Sequence, residues 1–208
     1  MNLPNTLSLL RIVLAPVFLY LFLSDSPVRI SVSFFVFTFA ALTDWYDGWY
    51  ARKYGFKTRW GQFLDPLADK ILTSAAFLGF YLLKEKDPAF LGKSMIIPVG
   101  ILVGIIIARD IILTAVRSIQ EIRGAEFKTS WISKTKTFAQ MLYIFIVIGF
   151  IALRNIFDGT ELSKTLSGFL NSDTNYYLLM LITILTLISG AAYLFESGNI
   201  RPKDKINI

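Results

Sequence analysis

Histidine and cysteine are both absent from the 208 residues of this chain. Their absence excludes disulfide bonds, thiolate nucleophiles, imidazole bases and imidazole metal ligands. A zinc or copper site is disfavoured as well, because these metals favour nitrogen and sulfur ligands. Any metal must therefore be held by oxygen, which suits Mg²⁺ or Mn²⁺. Any general base must be an aspartate, glutamate, lysine or tyrosine.

Charged residues are scarce: they make up 17% of the chain, whereas 54% of its residues are hydrophobic. This balance is too apolar for an ordinary soluble domain of this length. Several apolar runs approach the roughly 20 residues that a bilayer-spanning helix needs. Helices satisfy their own backbone hydrogen bonds in lipid. We therefore predict an all-α polytopic membrane protein with six transmembrane helices, forming a single domain over residues 1–208.

The predicted helices follow the apolar runs at 4–23, 30–54, 65–83, 95–119, 131–153 and 175–195. Residues 155–174 form a polar connector that has room for a short interfacial helix. The third helix is predicted to begin with Asp65 as its N-cap and Pro66 in its first turn. A structural role is thus one alternative for Asp65. Arg11 interrupts the first helix, and one interpretation is that its side chain reaches the membrane interface.

Lysine and arginine are more frequent on the predicted side that carries both termini than on the opposite side. The positive-inside rule therefore places both termini in the cytoplasm. The N-terminal run lacks a basic leader and a small-residue cleavage site, so we expect it to remain as the first span. The expected location is a bacterial plasma membrane. The expected surroundings are membrane lipids, and no nucleic-acid partner is expected.

Residues 44–69 read DWYDGWYARKYGFKTRWGQFLDPLAD and carry four carboxylates in two pairs. Asp44 and Asp47 are three residues apart and Asp65 and Asp69 are four apart, so each pair shares one face of a helix. Acids gathered beside lipid repel one another unless cations neutralise them. We interpret the stretch as a site for one or two Mg²⁺ or Mn²⁺ ions that serves phosphate chemistry. One aspartate is the best candidate for a proton acceptor.

Three further residues are candidates for substrate contact. Gly48 lies in a predicted helix, where glycine costs about 1 kcal/mol relative to alanine. It therefore indicates a close approach to the backbone, either by a ligand or by a packed helix. Arg52, one turn further along, is suited to hold a phosphate or a nucleotide. Asn5 either caps the first helix or contacts a substrate.

The complete pattern is D-x2-D-G-x2-A-R-x8-G-x3-D-x3-D, and residues 44–69 match it without deviation. This stretch resembles the signature of the CDP-alcohol phosphotransferases, whose six-helix topology would cover essentially the whole chain. The resemblance implies transfer of a phosphatidyl or similar group from a CDP-linked donor to an alcohol, with release of CMP. It also implies that the four aspartates bind two Mg²⁺ or Mn²⁺ ions and that Asp69 is the base. Gly48, Arg52 and Thr58 would contact the CDP part of the donor, and we assign Asn5 to the same donor.

Further stretches resemble the branch of that family that joins CDP-diacylglycerol to sn-glycerol 3-phosphate: MNLPNTLSLLRI, FLDPLADK, ARDIILTAVRS and SWISKTKTFAQ. We therefore predict that four basic residues form a pocket for a phosphomonoester dianion: Arg109, Arg117, Lys134 and Lys136. The lysines are two residues apart and diverge on a regular helix. Either that helix begins later than predicted, or one lysine faces the pocket, or both only anchor the helix in the membrane. An Asp110–Arg117 pair that only stabilises the bundle is a further alternative.

Other functions compatible with these residues differ in substrate or in class. The same family chemistry with another acceptor is one alternative, the acceptor being inositol phosphate, serine or phosphatidylglycerol. An ion channel or transporter with acids along its pathway is another. A membrane protein whose acids bind a purely structural metal is the third. The family resemblance also implies a homodimer packed through membrane helices, for which the featureless first half of the predicted fourth helix is suited.

Overall fold

The computed structural model describes residues 3–54, 59–93, 96–122 and 131–197. The helices in these ranges are α1 (Leu3–Phe22), α2 (Pro27–Tyr54), α3 (Arg59–Lys86), α4 (Val99–Ile122), α5 (Trp131–Ile156), α6 (Glu161–Leu170) and α7 (Asp173–Ser197). No strand occurs in the described ranges, so the predicted all-α fold is confirmed. The short helix α6 occupies the polar connector between the last two long helices.

Within the part of the chain that the structure describes, five helices are long and apolar enough to cross a membrane. Their candidate spans are Pro27–Asp44, Pro66–Lys86, Val99–Gln120, Trp131–Ile156 and Asp173–Tyr193. The apolar part of α1, Thr6–Phe22, is shorter than these spans. The polytopic membrane architecture is therefore confirmed. The predicted number of six full spans is not, because five of the described helices meet the criterion of length and composition.

The predicted start of the third helix is wrong. Helix α3 begins at Arg59, and Pro66 lies inside it, so Asp65 is not an N-cap. A proline at this position removes one helical hydrogen bond and crowds the carbonyl four residues before it. Ala68 and Leu72, two and six residues after Pro66, are fully buried in the core. The helix therefore runs through the proline, and the Asp65–Pro66 pair does not mark its start.

The fourth helix begins later than predicted, at Val99 instead of residue 95. Pro98 explains the difference, since the residue before a proline is pushed away from helical backbone angles. The Pro98 carbonyl accepts hydrogen bonds from the amides of Ile101, at 2.9 Å, and Leu102, at 3.3 Å. It therefore stands at the first turn of α4 and fixes where that helix starts.

The core of the bundle is aromatic. Helix α1 packs against α2 and α3, α3 also packs against α4, and α5 packs against α2 and α7. Phe18 of α1 meets Phe37 of α2 with ring centroids 5.3 Å apart. Tyr143 of α5 lies 5.9 Å from Phe80 of α3. This packing places α3 next to α4 and to α5, so the polar ends of the three helices gather at one end of the bundle.

Candidate active site

A cavity of about 470 Å³ opens where the first turns of α5 meet α3 and the second half of α4. Its charged lining residues are Asp69, Lys70, Arg109, Arg117, Lys134 and Lys136. Hydroxyl groups complete the polar lining, from Thr114, Ser118, Ser133 and Thr137. Five of the six charged side chains are basic, so the cavity suits an anion that also approaches a carboxylate.

The cavity brings together five of the residues predicted from the sequence. The predicted base, Asp69, shares it with the four basic residues predicted to bind a phosphomonoester. Helix α5 begins at Trp131 as predicted, and yet both Lys134 and Lys136 line the cavity. Lys134 is exposed whereas Lys136 is buried. A later helix start and a single facing lysine are therefore both wrong, because long flexible side chains reach the same space from different sides of the helix.

Lys136, which lines the cavity, forms an ion pair with Asp110 behind the cavity wall, and their exposed fractions are 2% and 3%. The Lys136 ammonium bonds Asp110 Oδ1. Arg109 donates to the same oxygen from 3.1 Å. The proposed Asp110–Arg117 pair is not formed, since seven residues of helix separate its members by about 10 Å along the axis. Asp110 therefore contacts and partly neutralises two basic residues of the cavity, Lys136 and Arg109.

Lys70 is a cavity residue that the sequence reasoning did not single out. Its ammonium donates to Asp69 Oδ2 at 2.6 Å, and both side chains line the cavity. Consecutive helical residues do not normally face each other, so the contact depends on the flexible lysine stem. The only sequence signal for Lys70 is its place beside Asp69 in FLDPLADK.

Arg11 does not extend along the surface of the bundle toward the membrane interface; it points into the bundle. Its side chain is fully buried, and its guanidinium bonds Asp44 Oδ1. An unpaired charge in this position would be strongly unfavourable, whereas a paired one is tolerated. The contact ties the middle of α1 to the far half of α2, and it orients one of the four signature aspartates.

Several predicted site residues fall outside what the structure describes. Asn5, Asp47, Gly48, Arg52 and Asp65 belong to helices α1, α2 and α3, but their side chains are not among the described ones. Thr58 lies outside the described residues altogether. Among the side chains that are described, no three acids lie close enough together to hold a metal ion. Of the four signature aspartates, that set contains only Asp44 and Asp69.

Exchange of Lys136 for methionine should lower the free energy of unfolding by about 3 kcal/mol. The change leaves Asp110 buried without its nearest cation, and Arg109 compensates only in part. Lys134→Met, on the same helix but exposed, should change stability by less than about 0.5 kcal/mol. Asp110→Asn introduced beside Lys136→Met should recover most of the loss, because no unpaired charge then remains. Denaturant unfolding in detergent measures all three, and equal losses in the two lysine variants would contradict the pairing.

Comparison with known proteins tests the family resemblance. Residues 1–188 match the profile of the family described as CDP-alcohol phosphatidyltransferase. The chain is 37% identical over 143 residues to a protein of Salmonella typhimurium, covering 68% of this chain and 73% of that protein. A protein of Rickettsia bellii is 33% identical over 151 residues, covering 71% of this chain and 75% of the relative. One of Bacillus subtilis is 34% identical over 155 residues, covering 69% and 74%.

All three relatives are named CDP-diacylglycerol–glycerol-3-phosphate 3-phosphatidyltransferase. The matched segment contains the signature aspartates, the buried Lys136–Asp110 pair and every residue that lines the cavity. The family resemblance inferred from residues 44–69 is therefore confirmed, and the chain belongs to the CDP-alcohol phosphatidyltransferase family.

Proposed function

We propose that this protein transfers the phosphatidyl group of CDP-diacylglycerol to sn-glycerol 3-phosphate, giving phosphatidylglycerophosphate and CMP. The observation that carries the proposal is the cavity in which Asp69 shares its walls with five basic side chains. An acceptor that bears its own phosphate matches this charge, whereas an acceptor without net charge, such as serine, would leave most of the basic groups without a counter-charge. The names of the relatives point to the same acceptor.

In the proposed reaction, Asp69 accepts the proton of the glycerol 1-hydroxyl. That oxygen forms a bond to the β-phosphorus, which carries the diacylglycerol, while the bond from this phosphorus to CMP breaks. CMP leaves with the electron pair of the broken bond. Arg109, Arg117, Lys134 and Lys136 hold the phosphate of the acceptor, so that its hydroxyl lies beside Asp69. The donor is held by Asn5, Gly48, Arg52 and Thr58.

We also propose that Asp44, Asp47, Asp65 and Asp69 hold two Mg²⁺ or Mn²⁺ ions. Two observations support the fit of these residues to divalent metal ions. The chain contains no histidine or cysteine, so oxygen ligands dominate any site. Asp44 and Asp69 each lie against a cationic group, of Arg11 and Lys70 respectively, so both positions attract positive charge. When bound, such ions polarise phosphate oxygens and offset the charge on the leaving CMP.

The acceptor is tested by offering purified protein CDP-diacylglycerol together with one alcohol at a time. We expect CMP release with sn-glycerol 3-phosphate and little with serine or phosphatidylglycerol. Inositol phosphate is the most informative competitor, because it also carries a phosphomonoester. Product only with inositol phosphate would retain the family chemistry and overturn the proposed acceptor.

The orientation of the site and the oligomeric state stay predictions. We propose that both termini and the cavity face the cytoplasm and that the protein is a homodimer. In the first half of α4, Ile101 is exposed and a side chain at Gly104 would meet no neighbour within 4 Å, which leaves room for a second copy. Single cysteines introduced into this cysteine-free chain would test both points, by labelling from either side of the membrane and by crosslinking at Gly104.

A further inference from the structure

Helix α7 lies beside α4, and residues 189–193 of α7 contact the part of α4 that carries the cavity arginines. Three of its residues contact this region: Ser189 and Gly190 lie against Arg109, and Tyr193 lies against Arg117. The match to the family profile ends at residue 188. These contacts therefore come from a part of the chain that the family signature does not describe.

Ser189 fixes one end of the Arg109 guanidinium. Arg109 donates from one terminal nitrogen to Ser189 Oγ at 2.8 Å. It donates from the other terminal nitrogen to Asp110 at 3.1 Å. Ser189 is fully buried and gives its own hydrogen to the carbonyl of Thr186 at 3.0 Å, so a lone pair is left for the arginine. Two bonds to different nitrogens set the plane of the guanidinium.

Gly190 makes room for the stem of the same arginine. A Cβ at this position would lie 3.3 Å from Arg109 Nε and 3.6 Å from its Cγ. The first distance is shorter than an ordinary van der Waals contact, so a larger residue would displace the side chain. Arg109 thus lies directly on the backbone of α7 at this point, and a glycine is what permits the approach.

Tyr193 holds Arg117 by a different interaction. The guanidinium carbon of Arg117 lies 4.8 Å from the centroid of the tyrosine ring, within the range of a cation–π contact. The ring is itself anchored, because the buried Tyr193 donates its hydroxyl hydrogen to Gln120 Oε1 at 2.8 Å. Stacking occupies the face of the guanidinium and leaves the N–H groups on its edge free for an anion.

The two arginines share an unsatisfied donor. Nε of Arg109 and Nε of Arg117 are both buried and have no hydrogen-bond partner among the described residues. Buried donors without a partner are rare and require an explanation. Both arginines line the cavity. Because the edge of a guanidinium binds a phosphate through two parallel N–H groups, the free donors indicate an anionic ligand at this place.

We propose that Ser189, Gly190 and Tyr193 are positioning residues that hold the guanidinium groups of Arg109 and Arg117 in place to bind the phosphomonoester of the acceptor. None of these three residues touches the substrate. The inference rests on the proposed function, since it assigns the phosphate of sn-glycerol 3-phosphate to this wall of the cavity. It extends that function to a helix that carries no recognised motif.

The test compares Michaelis constants for the two substrates. Ser189→Ala and Tyr193→Leu should each raise KM for sn-glycerol 3-phosphate by about five- to twentyfold. KM for CDP-diacylglycerol and kcat should stay within about twofold, because the donor site and Asp69 are untouched. Tyr193→Phe keeps the ring and should raise KM less than Tyr193→Leu does.

Thr183→Val is the matched control on the same helix. The Thr183 hydroxyl is buried and bonds only the carbonyl of Leu179 at 2.9 Å among the described contacts, so its loss leaves α4 unaffected. This variant should keep KM for sn-glycerol 3-phosphate unchanged. A fall in kcat at constant KM in the Ser189 and Tyr193 variants would overturn the proposal, as would an equal rise in KM with Thr183→Val.

A binding measurement separates this proposal from the proposed function. Titration with inorganic phosphate, followed by calorimetry on the detergent-solubilised protein, reports on the arginine wall without turnover. Tyr193→Leu should weaken phosphate binding by the same factor of about five to twenty, and Thr183→Val should not. Unchanged phosphate affinity in Tyr193→Leu would overturn the positioning role. Wild-type protein that binds phosphate but forms no product from sn-glycerol 3-phosphate would instead overturn the proposed acceptor.

Discussion

Replacing Asp69 by asparagine should lower kcat by about a hundred- to ten-thousandfold, the usual contribution of a positioned general base. The amide has the shape of the carboxylate but cannot accept the proton of the acceptor hydroxyl. The Lys70 ammonium retains an oxygen to which it can donate, so the local fold should be kept. KM for sn-glycerol 3-phosphate should change little, because the four basic residues that hold its phosphate remain in place. Steady-state CMP release over a range of both substrates measures these effects.

Asp25→Asn is the matched control for this variant. Asp25 lies between α1 and α2, its side chain is 91% exposed, and it bonds Lys86 at the opposite end of the bundle. Its exchange for asparagine should leave kcat at the wild-type value. Asp69 is also a proposed metal ligand, so the assay is repeated at raised Mg²⁺. Recovery of turnover by Mg²⁺ would mean that the loss came from weaker metal binding and that the base is another group.

Removal of divalent cations should suppress CMP release by about a thousandfold or more, since a metal that stabilises charge in the transition state contributes several kcal/mol. The chain lacks the imidazole and thiolate groups that would retain a tightly bound transition metal. Ions held by carboxylates should therefore be withdrawn by a chelator. Addition of Mg²⁺ or Mn²⁺ in excess of the chelator should restore turnover.

The number of ions is measured separately from activity, by titrating metal-free protein with Mn²⁺ and following the free ion by electron paramagnetic resonance. Two equivalents should bind to the wild type. Asp44→Asn should weaken at least one of them, and Asp25→Asn should weaken neither. Full turnover in the presence of excess chelator would contradict the metal proposal, and the bonds that Arg11 and Lys70 make to Asp44 and Asp69 would then describe the working state of the site.

The long helices could be predicted from the sequence, because each apolar run is long enough to enter the lipid. There, the backbone groups must form hydrogen bonds within the segment, as they do in a helix. The ends of these helices were harder to predict from the sequence. Pro66 carries the local signal of a helix start, and it lies inside α3 nonetheless. Pro98 carries the same signal and does mark the start of α4. The difference lies in what precedes each proline: residues 59–65 are helical, whereas residues 96–97 are not.

The site was predictable where its residues share a motif. Asp69 and the basic residues of α4 and α5 stand in recognisable stretches, and the cavity brings them together. The partner of Lys136 was not predictable, because Asp110 has several basic residues within reach and only the three-dimensional arrangement of the helices brings Lys136 of α5 to Asp110 of α4. Ser189 and Tyr193 were missed for another reason. A single hydroxyl in an apolar helix is common at helix–helix contacts, and the sequence around it does not indicate that its partner is an arginine.

The buried contact between Arg11 and Asp44 has a consequence for how the chain is made. A charged residue at the centre of a membrane helix raises the free energy of its insertion by about 2.5–3.5 kcal/mol. The apolar part of α1 is the shortest of the candidate segments, so its hydrophobic residues offset little of this insertion cost. A counter-charge arrives only when α2 has been synthesised. During translation the first helix should therefore wait at the translocon and enter the bilayer together with the second, as a hairpin.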